Sequence, residues 1–202
     1  MSHTSSDVSL FRPTNELIQI LGTPPLVGSE KLEDYEKFFA LVASAINPPD
    51  TVGWLFTKDV VDWSWEIRRD WILKGETIKY HIKEVVGELI KSELAPAGQF
   101  ETAHYRIFKA GAELQSWSSD EQARKEIDAK LATKGYDAAY VLKEAYVECS
   151  ILIDEIDKRI VFHSQCRNAA LKEVGLWSDR LQRQLEQATS GVIDAEFAEA
   201  AE

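Results

Sequence analysis

Proline is scarce where it matters in this chain of 202 residues: of six in all, none falls between Pro49 and Pro96 and none after Pro96. A proline inside a helix removes a donor and crowds the preceding turn, so two long stretches are left free to be helical. Cysteine is scarcer still. Cys149 and Cys166 are the only two, and neither lies in a Cys-x-x-Cys pattern, which excludes a disulfide framework or a zinc ribbon. No run approaches the roughly 18 consecutive apolar residues of a membrane span. The first residues lack a basic stretch followed by an apolar one, so a cytoplasmic location without membrane contact is expected. Basic charge is in the minority, 23 side chains against 34 acidic ones, and a net charge of -11 disfavours coating a polyanion. Phosphate loops, dinucleotide fingerprints, His-Glu-x-x-His and Gly-x-Ser-x-Gly are absent as well. The chain therefore reads as a non-enzyme with no cofactor.

What is present is helical periodicity. Residues 1–12 are polar and aperiodic, a disordered tail; 13–190 read as a single helical domain; 191–202 form an acidic C-terminal tail. A short helix from a Thr14 cap ends at Gly22, and Thr23-Pro24-Pro25 follows as an extended linker. Ser29 is expected to cap a second helix whose apolar side carries Leu32, Tyr35, Phe38, Phe39, Val42 and Ile46, stopped by Asn47-Pro48-Pro49. Asp50 then caps a helix of about 45 residues, over about 50–94. After Pro96-Ala97-Gly98 come a helix near 101–114 and another opened by Ser118 or Ser119 and closed at Lys134-Gly135. Asp137 caps the longest helix, over about 137–189, with its stop at Ser190-Gly191.

The two long helices look like coiled-coil partners. One line of the first runs Phe56, Val60, Trp63, Ile67, Trp71, Ile78, Ile82, Val85, Leu89; a second line of Trp54, Val61, Trp65 and Ile72 lies around the cylinder from it. The second helix carries Leu142, Ala145, Cys149, Leu152, Ile156, Ile160, His163, Cys166, Ala170, Val174, Trp177, Leu181, Leu185 and Ala188 in alternating steps of three and four. The fold expected is all-α: an elongated helical bundle with the two long helices packed antiparallel and the shorter ones buttressing the tryptophan-rich end. Six tryptophans need extensive packing partners. The candidate interaction seam is Trp54, Trp63, Trp65, Trp71, Leu152, Ile156, Ile160, Trp177 and Leu181. A helix this long exceeds what a compact monomer needs, so a homo-oligomer, or another helical protein as partner, is expected.

Polar constellations are weighed against plain packing. His163 and Cys166 share a face at i,i+3, but both sit on the apolar seam and serve packing. Glu101-x-x-His104 matches one helical unit of a di-iron bundle and lacks the second copy. No metal site is assigned. Asp59, Asp62, Glu66 and Asp70 form an acidic line that reads as a solvated face balanced by Lys58, Arg68, Arg69 and Lys74. Arg159, Arg167, Lys172, Arg180 and Arg183, with Lys158, make 158–183 the candidate anion patch. Pairing with the acidic tail competes with nucleic acid there.

Two stretches carry a resemblance. Thr23-Pro24-Pro25-Leu26-Val27-Gly28, Asp34-Tyr35, Pro48-x-Asp50 and the run from Lys58-Asp59-Val60-Val61-Asp62-Trp63 to Glu66 and Arg69 form the first. The second comprises Ile153 to Ile160, Arg167-Asn168-Ala169-Ala170-Leu171-Lys172-Glu173 and Asp194-Ala195-Glu196-Phe197. Together they resemble a family of uncharacterised bacterial proteins described only as conserved hypothetical. The chain departs from that family by carrying Arg68-Arg69-Asp70-Trp71 in place of Arg-Leu-Arg-Arg, which weakens a basic patch on the first helix. Members often occur near mobile genetic elements, so the resemblance implies a nucleic-acid or host-defence context and supplies no catalytic residues. The expected function is a helical interaction or scaffold protein that self-associates; the alternative is a nucleic-acid-associated accessory protein using 158–183.

Overall fold

The structure, a computed structural model, describes residues 15–94 and 103–199, with side chains described for 16–94, 104–180 and 183. Leu181, Leu185 and Ala188 of the expected seam, Thr14 and Glu101 therefore lie outside the described side chains, as does the whole of the expected N-terminal tail. Among the described residues there are six α-helices and no strand: α1 (Asn15–Leu21), α2 (Leu32–Ile46), α3 (Thr51–Leu89), α4 (Ala103–Ser119), α5 (Glu121–Ala132) and α6 (Ala138–Glu199). A π-helical turn, Ile90–Leu94, prolongs α3. It falls where Pro96 has no N–H to offer the Ser92 carbonyl. The chain is an all-α bundle. Its contacts group into two compact units that share the long helices: unit 1 is Met1–Arg69 with Ile160–Glu202, and unit 2 is Asp70–Arg159.

In unit 1, Asp50 caps α3 by accepting from the Gly53 N–H at 2.9 Å. Gly53 is required there, because a Cβ would lie 3.1 Å from Pro49 and 3.2 Å from Pro48. Asn47 ends α2 in the left-handed conformation, φ 51°, returning its N–H to the Ala43 carbonyl. Ser29 does not cap α2. Its N-cap position is Lys31, whose side chain bonds no backbone donor, and Glu33 and Asp34 supply the negative charge that suits a first turn. The second apolar line of α3 meets α2: Tyr35, Val61 and Trp65 are buried with Phe38, Phe39 and Val42 around them. Trp63 faces α6, edge-on to Phe162 and stacked on His163, and the Trp177 indole donates to the Asp50 carboxylate at 3.1 Å. As α3 ascends from 50 to 63 its partners on α6 descend from 177 to 163, so the helices are antiparallel here.

In unit 2 the same descent is seen in Asp70–Arg159, Lys74–Asp157 and His81–Glu148. The core lies at one end: Val85, Val86, Ile90, Ala110, Ile127, Leu131, Val141 and Ala145, with Ile82, Leu114 and Trp117 packed on it. Leu114 of α4 reaches Gly87, where an added Cβ would lie 3.0 Å from its Cδ2. Asp120 caps α5, accepting from the N–H groups of Gln122 (2.7 Å) and Ala123 (3.2 Å). The expected Ser118/Ser119 cap is thus corrected: both serines finish α4, returning their hydroxyls to the carbonyls of Leu114 and Gln115. Asp137 caps α6 as expected, through the Tyr140 N–H at 2.8 Å.

Three expectations about the seam change. Trp71, Leu142 and Leu152 are exposed, while Asp70, Val141 and Ile153 are buried beside them. On a helix of 3.6 residues per turn each step of four advances the buried line by about 40°, so Val141, Ala145, Cys149 and Ile153 wind around α6 instead of holding one seven-residue seam. Val141 and Ala145 serve a bundle core rather than a two-helix seam. The expected stop at Ser190-Gly191 is also absent: α6 continues to Glu199. One interior glycine costs about 1 kcal/mol relative to alanine, which the alanine- and glutamate-rich sequence after it offsets.

Candidate functional site

The densest polar constellation is in unit 1, where the linker 23–31 is fastened to α3. Arg69 donates to Glu30 as a two-pronged fork, Nε to Oε1 at 2.9 Å and Nη2 to Oε2 at 2.8 Å, and Nη2 also reaches the Pro25 carbonyl at 2.7 Å. Its Nη1 bonds Glu66, one turn back on the same helix. The rigid guanidinium suits this bidentate grip on a planar carboxylate. Glu30 accepts in addition from the Val27 N–H at 3.0 Å, closing the linker turn. Arg69 therefore holds the Glu30 carboxyl down to about 2, against the opposing effect of burial, with help from the Val27 N–H and then Trp65. The Trp65 indole N–H lies near enough to favour the charge, yet makes no hydrogen bond of its own. Beside this clamp, Tyr35 and Lys58 both donate to Asp62. Burial first, and Asp62 second, push the Tyr35 phenol well above its ordinary range.

The acidic line is accordingly not a solvated face. Asp62 serves Tyr35 and Lys58, Glu66 serves Arg69, and Asp70 is 3 % exposed with Arg159 at 2.7 Å. Asp59 is the member that faces outward, its carboxyl raised by partial burial and then by Asp62. Residues on which the family resemblance was drawn (Pro25, Val27, Tyr35, Lys58, Asp62, Glu66 and Arg69) thus meet in one place, and the chemistry they perform there is fastening.

The expected seam residues separate into two groups. Trp54 is half-buried and stacks on Phe39 at 6.0 Å, Trp65 and Ile156 are buried, and Trp63, Ile160 and Trp177 are half-buried. Trp71 and Leu152 face outward instead. The basic segment separates as well. Arg159 is taken by Asp70, Lys158 by Glu155 at 2.6 Å, and Arg183 returns its Nε to the Asp179 carbonyl at 3.1 Å. Arg167 is half-buried against Asn168, whereas Lys172 and Arg180 are exposed.

Each described histidine has its own surroundings: His81 beside Glu148, His163 against Trp63, His104 exposed. Cys166 is half-buried. Among the described residues no three His, Cys, Asp or Glu side chains group as a metal site. Among the described residues, one open depression of about 260 Å³ in unit 1 is lined by Glu16, Asp50, Thr51 and Trp54, and another of about 260 Å³ lies between α4 and α5. Asp50 in the first is already engaged by Gly53 and Trp177.

Sequence reasoning missed the Glu30–Arg69 fork and the Asp70–Arg159 pair. Partners 39 and 89 positions apart leave no periodic signal; the one available hint was an aspartate beside the apolar line. No protein-family model, curated protein or solved structure matches the chain. No helix among the described residues is long and apolar enough to cross a membrane.

Proposed function

We propose that the chain is a non-enzymatic helical interaction protein that self-associates through its long helices, in the cytoplasm of a bacterium. One observation carries this reading. Over 70–81 of α3 and 148–159 of α6 the pairs within unit 2 join only these two helices, and large apolar side chains face outward on both: Trp71, Ile72 and Leu73 on the first, Ile151 and Leu152 on the second. Single exposed apolar residues are ordinary, but several large ones within one short stretch of two paired helices suit an interaction surface. Covering it stabilises by about 25 cal/mol for each Å² removed from water. The test is the mass in solution by light scattering across micromolar concentrations. A dimeric or larger mass is expected, and a monomeric mass throughout would sink the reading.

The nucleic-acid alternative keeps a narrower basis, since Lys158 and Arg159 are engaged within the chain. It now rests on Arg167, Lys172, Arg180 and Arg183. Salt-dependent binding abolished by Arg167→Glu with Arg180→Glu would favour it; binding left unchanged by that pair would remove it.

A further inference from the structure

The bare two-helix stretch of unit 2 has two flanks. Asp70–Arg159 and His81–Glu148 mark one. On the other, Lys74 reaches Asp157 at 2.7 Å while lying 5.5 Å from the centre of the Trp71 ring. At 3.6 residues per turn, Trp71, Ile72, Gly75, Lys79 and Lys83 fall within about a third of the circumference of α3, and Tyr146, Val147, Asp154 and Asp157 within about a third of α6. The Lys74–Asp157 bond places both sectors on the same flank. Trp71 is 55 % exposed, Ile72 51 % and Val147 60 %.

Gly75 sits in the middle of this flank and has no use inside the chain. The other glycines of α3 are accounted for: a Cβ at Gly53 would press on Pro48 and Pro49, and one at Gly87 on Leu114. At Gly75 a Cβ would meet nothing within 4 Å. A glycine in a helix interior is unfavourable relative to alanine. Its absent side chain leaves room for another backbone to come close.

The charges on the two helices are of opposite sign. On this flank α3 presents Lys83 and Lys79, the latter also 2.8 Å from Glu76, while α6 presents Asp154 and Asp157, with no lysine or arginine anywhere in residues 144–157. The flank is thus complementary to itself. Two face-to-face arrangements have twofold symmetry. An axis across the helices would set α3 on α3 and α6 on α6, lysine on lysine and carboxylate on carboxylate. An axis parallel to the helices sets α3 of each copy on α6 of the other, antiparallel, with opposite charges meeting twice. Like-charge juxtaposition is strongly unfavourable and complementary potentials fix register, so the charges select the second.

We infer that this flank is where a second copy of the chain docks, α3 of each copy lying antiparallel on α6 of the other, with Trp71 as the apolar anchor and Gly75 as the point of closest approach. The inference rests on the self-association reading and adds its face, its partner and its symmetry. Exposed tryptophan is among the residue types that dominate binding energy when covered by a partner.

Charge exchange between two variants tests it. Lys79→Glu with Lys83→Glu makes the α3 sector acidic; Ser150→Lys with Asp154→Lys makes the α6 sector basic. All four side chains are exposed, and each variant's helicity is checked by circular dichroism. Each variant alone is expected to self-associate at least about tenfold more weakly than the unaltered chain, and an equimolar mixture to form the one-to-one hetero-complex, seen by native mass spectrometry. Gly75→Leu serves as an uncharged probe: it should keep the fold, because its site is open, and still weaken association. If the unaltered chain assembles and these variants assemble as tightly, the face is wrong while self-association stands. Variants that weaken without forming the hetero-complex would overturn the pairing of α3 with α6. An unaltered chain that stays monomeric overturns both.

Discussion

Replacing Glu30 by glutamine isolates the clamp on the linker. The carboxyl titrates near 2 in the folded chain against an ordinary value of 4.5, with Arg69 as the chief cause. Each unit of such a shift corresponds to about 1.4 kcal/mol, and with the side chain still 17 % exposed, screening by water brings the contribution to roughly 2 kcal/mol. A carboxylate whose folded value is depressed stabilises above its unfolded value and loses that contribution as the pH falls toward the folded one. The stabilisation is therefore whole at neutral pH, begins to fade near 4.5 and is gone near 2. Urea denaturation of the unaltered chain and Glu30→Gln at a series of pH values is the assay. At pH 7 the variant is expected to be less stable by roughly 2 kcal/mol, and more than half of that gap should have closed by about pH 3. A gap below about 0.5 kcal/mol at neutral pH, or one that does not narrow with acid, would refute the account, because surface pairs commonly contribute that little.

Arg159→Met should cost about 3 kcal/mol by leaving the Asp70 carboxylate buried without its cation, and adding Asp70→Asn should recover most of the loss in a double-mutant cycle by thermal or urea denaturation. Asp120→Ala should destabilise by about 1 kcal/mol as the cap of α5, whereas Ser118→Ala and Ser119→Ala should each stay within about 0.5 kcal/mol; the reverse order would restore the serine cap. Alanine at two glycines should act differently: Gly111→Ala, where a Cβ meets nothing, should stabilise by up to about 1 kcal/mol, while Gly87→Ala should stabilise less than that, because the Leu114 Cδ2 3.0 Å away must give way.

The helices were legible because their limits are set by local chemistry. Prolines at 48, 49 and 96 bound α3, and Asp50 and Asp137 announce its start and that of α6 by side chains that bond backbone donors three residues on. The α5 cap misled because three consecutive residues, Ser118, Ser119 and Asp120, can all cap a helix. Only the turn itself shows that α4 runs on through both serines. Which apolar residue faces inward was less legible, because Leu152 and Ile153 are equally suited to a core and differ only in angle, which depends on whether the helix supercoils. The clamp was invisible as geometry: Glu30, Glu66 and Arg69 are ordinary charged residues until the linker folds back.

The buried Asp70 answers a question that the apolar seam leaves open. A line of side chains alternating by three and four is compatible with several antiparallel registers, since sliding one helix by seven residues sets apolar groups against apolar groups again. Asp70 breaks that degeneracy. Its carboxylate meets Arg159 in the observed register. A slide of seven in either direction would instead place it against the positions of Leu152 or Cys166, neither of which supplies a positive charge. Leaving a buried charge unpaired costs about 3–5 kcal/mol, more than the loss of a few seam contacts, so the pair need not add net stability to select one alignment. Lys74 with Asp157 adds an ion pair, though a more exposed one, along the same stretch. Along this stretch of α3 and α6 the buried Asp70–Arg159 pair selects one register among those the apolar line permits.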